Sequence, residues 1–194
     1  MNNKRKIEIN KDNPIYYENI CPNWYEASKD LVVIQESNQS DNLIFAQFFF
    51  LWSSFNALYN LAGESGTSEI NRMEDLIDSL DNEDIYKFFE ETENSCDYFI
   101  KERDLIKDMK RYLYKEEPLE KMDIDVIRKN YKENRNTKEN FKNIIRIIYR
   151  VRNNLTHGSK EMRGDDILII KKAIPILKSA TRIIAKRVFD VSLS

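Results

Sequence analysis

The sequence predicts an all-α fold in one domain, and three observations carry the prediction. Glycine and proline number four each in 194 residues. That is too little punctuation for the closely spaced turns of a sandwich, a barrel or a doubly wound sheet. Apolar residues recur at helical spacing in one long stretch after another, the pattern of helices that bury one face. Aromatic residues make up 11% of the chain, which with those stretches excludes a disordered polymer. The length suits a single domain that needs no staples to build its core.

Each element follows from the local pattern. Residues 1–23 are polar, with Pro14 and Pro22, and read as irregular, apart from a short extended piece around Ile7 and Ile9. A helix is expected over Trp24–Gln35, with Trp24, Leu31 and Ile34 apolar. Asp41, or equally Asn42, is placed to cap a long aromatic helix that ends near Gly63. Its broad apolar face comprises Ile44, Phe48, Leu51, Trp52, Phe55, Leu58, Tyr59 and Ala62, with Ser53, Asn56 and Asn60 toward the other side. Leu43–Gly63 carries no charge and is long enough to span a bilayer, but this amphipathicity favours a core helix. After a loop at 64–68, Glu69–Leu80 repeats helical spacing. The acidic stretch 81–97 reads as one short helix with Ile85, Phe88 and Phe89 inward, and Tyr98–Tyr114 as the next, broken by Pro118. Asp123–Tyr131 is a short helix. Asn136 or Thr137 then starts a strong one, with Phe141, Ile144, Ile145, Ile148 and Leu155 inward and Lys142, Arg146 and Arg150 mostly outward, capped at Gly158. Gly164 and Asp165 open the last helix, where Pro175 predicts a kink or break.

The net charge of −2 hides an asymmetry: residues 135–194 carry +9 and the rest −11. A basic segment of this size can attract a polyanion in a salt-dependent way, although ordinary solvated helix faces would produce the same count. Cys21 and Cys96 are far apart and form no CxxC pair, which excludes a disulfide framework and a zinc-finger spacing. One histidine per chain excludes a His-rich metal site within a chain. The polar N-terminus has no apolar leader, so a cytoplasmic protein without cofactor or metal is expected.

The run that carries chemistry is Tyr149-Arg150-Val151-Arg152-Asn153-Asn154-Leu155-Thr156-His157-Gly158-Ser159-Lys160. It places the sole histidine five residues after an arginine, at the end of an isoleucine-rich helix. This Arg152-Asn153-x-x-x-His157 pattern resembles the R-x4–6-H motif of HEPN domains, in the subtype reading RN-N-L-x-H-G. Residues 51–59, with Trp52, Phe55, Asn56, Leu58 and Tyr59, resemble the W-x-x-F-N-x-L-Y helix found early in several HEPN groups. The resemblance covers about 41–188. It implies a HEPN-like bundle with a four-helix up-down core and additional short helices.

It also implies an activity: metal-independent endoribonuclease. Such cleavage needs a base for the 2′-hydroxyl, an acid for the leaving 5′-oxygen and a cation on the phosphate. Imidazole suits proton transfer near neutral pH, and guanidinium suits phosphate through paired hydrogen bonds. The resemblance assigns these roles to His157 and Arg152, with Asn153 hydrogen-bonding the backbone or the imidazole. Arg150 and Lys160 are candidate RNA contacts. Because one chain has one histidine, acid and base imidazoles would come from two chains across a two-fold dimer.

Proteins of this kind are often toxins or antiviral defence effectors. A separately encoded antitoxin or nucleotidyltransferase is then an expected partner. Two other readings remain open at this point, a non-catalytic RNA- or nucleotide-binding module and a helical interaction scaffold.

Structural roles compete for the same residues. His157 at a helix C-terminus would complement the dipole, Arg152 could be an ion-pair partner, and Asn153 and Asn154 could end the helix. Lys160 could be an ordinary loop lysine. Trp52, Phe55 and Tyr59 are expected in the core, and Asn56 in an interhelical hydrogen bond.

Overall fold

A computed structural model of the protein describes residues 9–38, 43–62, 67–101, 124–156 and 164–193. Among these the chain is helical throughout. A π-helical segment, Ile15–Ile20, leads into α1 (Cys21–Asn38), followed by α2 (Leu43–Tyr59), α3 (Glu69–Asp78), α4 (Asn82–Lys101), α5 (Ile124–Glu133), α6 (Lys138–Thr156) and α7 (Gly164–Phe189). The one β contact among the described residues is an isolated bridge between Ile9 and Ala62, with Asn10 N–H donating to Leu61 C=O at 2.8 Å. The extended piece expected around Ile7 and Ile9 is thus limited, where described, to this bridge. Ile7 itself lies outside the described residues, as do Asp41, Asn42, Gly63, 102–123 with Pro118, and 157–163.

Several boundaries differ from expectation. The segment before Trp24 is helical: Pro22 is the second residue of α1, which follows directly on the π-helical segment. Residues 81–101 form one helix through the expected join at 97–98, because that join was drawn on a change of composition and no breaker stands there. Asp81 caps α4 by accepting from the Glu83 and Asp84 N–H groups at 3.0 Å each, and Asp84 Oδ2 accepts from Asp81 N–H at 3.2 Å. This is a reciprocal capping box. Thr137 caps α6 through the Asn140 N–H at 3.1 Å. The last helix runs through Pro175 without the expected break. It stops where Asp190 takes φ 58°, with Asp190 N–H on Lys186 C=O and Val191 N–H on Ala185 C=O; the first of these is the αL pattern of helix termination.

The core forms around α7, which packs against α2, α3, α4 and α6, while α1 lies along α2. Buried Ala173, Ala180 and Ala185 lie on α7 among Ile170, Ile176, Leu177 and Ile184, and their small side chains permit close helix approach. The predicted apolar face of α2 is buried at all eight positions. Phe88 of α4 stacks on Phe141 of α6 with ring centroids 3.6 Å apart and nearly parallel planes. Ser54 donates to Cys21 C=O at 2.8 Å, tying α2 to the start of α1. Burial pushes the Cys21 thiol up to about 11 and the Cys96 thiol up to about 12. No helix among the described residues is long and apolar enough to cross a membrane.

Ion pairs join the acidic and basic parts of the chain. Lys142 meets Asp78 at 2.7 Å, Arg146 meets Glu74 at 2.7 Å, and Arg135, Arg182 and Arg187 meet Glu93, Glu91 and Asp81. Lys142 and Arg146, expected to face mostly outward, are instead tucked against α3. Much of the basic last third is therefore neutralised by residues 69–97 of the same chain.

Candidate functional site

The site is built where the last turn of α6 meets α2 and the start of α3. Tyr149 and Arg152 lie one turn apart on α6, so both reach the same neighbours. The Arg152 guanidinium lies 5.5 Å from the Trp52 ring centroid and 6.0 Å from that of Tyr149. The two rings are themselves 6.0 Å apart. Such a cation over aromatic faces is held by their quadrupoles. Arg152 Nη1 donates to Asn153 Oδ1 at 2.8 Å and stands 3.8 Å from Glu69 Oε2. The latter is an attraction without a hydrogen bond.

Glu69 is fixed from its other oxygen. The Tyr59 hydroxyl donates to Glu69 Oε1 at 3.2 Å. Burial, reinforced by the Glu69 charge, raises the Tyr59 pKa above the ordinary phenol range, so this hydroxyl stays a donor at physiological pH. Glu69 opens α3, whose N-cap Ser68 accepts from Asn71 N–H at 3.3 Å. The cap sets where α3 begins and thereby where the carboxylate lies. At the end of α6, the Thr156 hydroxyl lies 3.2 Å from Arg152 C=O and 3.0 Å from Asn153 C=O, bonding back to the turn that precedes it. Beside the guanidinium, the buried Trp52 Nε1 has no hydrogen-bond partner among the described residues.

The predicted residues fare differently. Arg152 and Asn153 are adjacent and half-buried, and Asn153 accepts from Arg152. His157, Gly158 and Lys160 lie outside the described residues. Arg150 corrects the expectation of an outward-facing contact, because it is 7% exposed. The reason is that α6 packs against α3, α4, α5 and α7 at once, so its buried face is wider than one apolar stripe and takes in Asn143, Tyr149 and Arg150 as well. Trp52, Phe55 and Tyr59 are core residues as expected, at 3%, 0% and 0% exposed.

Among the described residues Asn56 makes no interhelical hydrogen bond. Its Oδ1 accepts from Asn60 Nδ2 at 2.7 Å within the same helix. Glu69 and Tyr149 were missed as site residues, since only tertiary packing brings them to Arg152. Arg72, which reaches the Asn60 amide, was missed for the same reason.

Two further features bound the chemistry. Among the described residues no group of three or more His, Cys, Asp or Glu side chains is placed to hold a metal ion. A separate open depression of about 700 Å³ lies between the end of α4 and α5, lined by Lys101, Arg128, Lys132 and Arg135 with Asp97 and Tyr131. None of the predicted site residues lines it.

No family model matches the chain, and comparison with curated proteins and with solved structures gives no match either.

Proposed function

We propose that the protein is a metal-independent endoribonuclease of HEPN type, acting as a two-fold dimer in which each chain supplies Arg152, Asn153 and His157. The observation that supports this most is the seating of Arg152 on Trp52. It joins the two sequence segments that carry the HEPN resemblance: Trp52 and Arg152 are 100 positions apart in the chain but adjacent in the fold. A guanidinium matches the geometry of a phosphate through paired hydrogen bonds. The aromatic seat of Arg152 and its long approach to Glu69 leave hydrogen-bonding capacity for a phosphate.

In this reading Arg152 holds the scissile phosphodiester. One His157 takes the proton of the 2′-hydroxyl as that oxygen attacks phosphorus. The His157 of the second chain protonates the departing 5′-oxygen. The products are a 2′,3′-cyclic phosphate and a 5′-hydroxyl end, and no metal enters. A toxin or defence role, with a separately encoded neutralising partner, is the biological setting that the same reading carries.

Labelled RNA incubated with the full-length protein in EDTA tests this. Cutting with cyclic phosphate ends is expected, with loss of about 10²- to 10⁴-fold for His157→Ala and a comparable loss for Arg152→Ala, both in proteins that thermal unfolding shows to be folded. A wild-type dimer that leaves diverse RNAs intact refutes the nuclease reading. Salt-sensitive RNA binding that survives His157→Ala, without cutting, would mark a binding module.

A further inference from the structure

Resting on the reading of Arg152 as a phosphate-binding residue, we infer a second RNA subsite beside it, made by Asn56, Asn60 and Arg72, that holds the strand flanking the scissile phosphate. Trp52, Asn56 and Asn60 are spaced four apart on the chain, so they form one row on α2. At 1.5 Å per residue the row is about 12 Å long. Arg152 sits over its Trp52 end. Arg72 reaches its other end, donating from Nη1 to Asn60 Oδ1 at 3.3 Å and from Nε to Thr67 C=O at 3.1 Å. Glu69 and Arg72 lie one turn apart on α3. The two contacts Tyr59–Glu69 and Asn60–Arg72 therefore run side by side and fix the two arginines along one strip.

The chemistry of the strip suits a polyanion. Each of its amide oxygens already accepts one hydrogen bond, from Asn60 Nδ2 on Asn56 and from Arg72 on Asn60. The Asn56 amide nitrogen, the second Asn60 N–H and the remaining Arg72 nitrogen add donors to the strip. Charge separates Arg72 from its neighbours. Arg135, Arg146, Arg182 and Arg187 each meet a carboxylate, and Arg152 has Glu69. Among the described residues Arg72 meets only neutral oxygens, so no carboxylate among them offsets its positive charge at ion-pair distance. A single strand laid from Arg152 along α2 would meet that charge within about 12 Å. With a phosphate every 3.4 Å or more, that distance is about three nucleotides or fewer. The exposed amides can pair with bases or ribose hydroxyls on the way.

Binding of 2′-O-methyl oligonucleotides, which cannot be cut through the 2′-oxygen, tests the subsite across a salt series. Arg72→Gln should weaken an octanucleotide about 5- to 20-fold and reduce the salt slope by about 0.7, while leaving a dinucleotide unchanged. The Asn56→Ala, Asn60→Ala double variant should show the same dependence on length. Arg72→Lys should restore the slope. Arg128→Gln removes an equal charge from the depression beside α5 and is the control. An octanucleotide weakened equally by Arg72→Gln and Arg128→Gln, or by neither, overturns the inference. If Arg152→Gln weakens both lengths and Arg72→Gln weakens neither, the inference alone falls. If Arg152→Gln changes neither length, the Arg152 reading falls and the inference with it.

Discussion

Glu69→Gln isolates the electrostatics of the site with little change of shape. Glu69 Oε2 is 3.8 Å from Arg152 Nη1. At that separation, opposite unit charges attract by about 4 kcal/mol at an effective dielectric of 20 and about 1 kcal/mol at 80. The Arg152 and Glu69 side chains are 25% and 38% exposed. Solvent screening therefore selects the lower figure, about 1 kcal/mol. A bound phosphate competes with Glu69 for the same guanidinium, so removing the carboxylate charge should tighten RNA binding by about fivefold. Glutamine keeps an oxygen for the Tyr59 hydroxyl, and loss of the ion pair should cost no more than about 1 kcal/mol of stability. Fluorescence anisotropy with a non-cleavable RNA measures the first effect and thermal unfolding the second. The gain should vanish in an Arg152→Gln background, the signature of direct coupling in a double-mutant cycle. Unchanged or weaker RNA binding by a folded Glu69→Gln protein would refute the argument that Glu69 and phosphate share Arg152.

Two further outcomes follow from the packing. Phe141 is fully buried and stacked on Phe88, so Phe141→Ala should cost about 3–5 kcal/mol of unfolding free energy in chemical denaturation; a loss below about 1 kcal/mol would mean that the stack does not form. Burial pushes the Glu91 carboxyl up, but the hydrogen bonds from Arg182 and Ser179 outweigh it and hold the pKa below the ordinary glutamate value. A depressed carboxyl stabilises the fold above its unfolded pKa, and the contribution is lost as pH falls through the folded value. Wild-type stability should therefore decline on acidification below roughly pH 4. Glu91→Gln should be less stable at neutral pH and decline less steeply; an identical acid profile would contradict the assignment.

How far the sequence is legible depends on whether the physics is local. The stripe of α6 and its Thr137 cap are set within one or two turns, and both are where periodicity and capping chemistry put them. The apolar face of α2 is legible for the same reason. The division of α4 was misread because a change in composition at 97–98 has no backbone consequence. Pro175 does not break its helix, because packing on several neighbours overrides one missing hydrogen bond. Arg150 is buried by four other helices, information that no window along α6 contains. The candidate site is legible as two motifs but not as a contact. Nothing local to Trp52, Glu69 or Arg152 says that they meet, since only the tertiary fold brings α2, α3 and α6 together.

The ion pairs between residues 69–97 and the last third also impose an order on synthesis. A ribosome releases the acidic part first, before the cations of the last third that pair with it. Arg146 arrives later, Arg182 and Arg187 later still, on the helix that fills the core against α2 and α4. The faces of α2 and α4 that pack on α7 are covered only when that helix arrives, so a nascent chain stalled before residue 164 would leave them open to proteases.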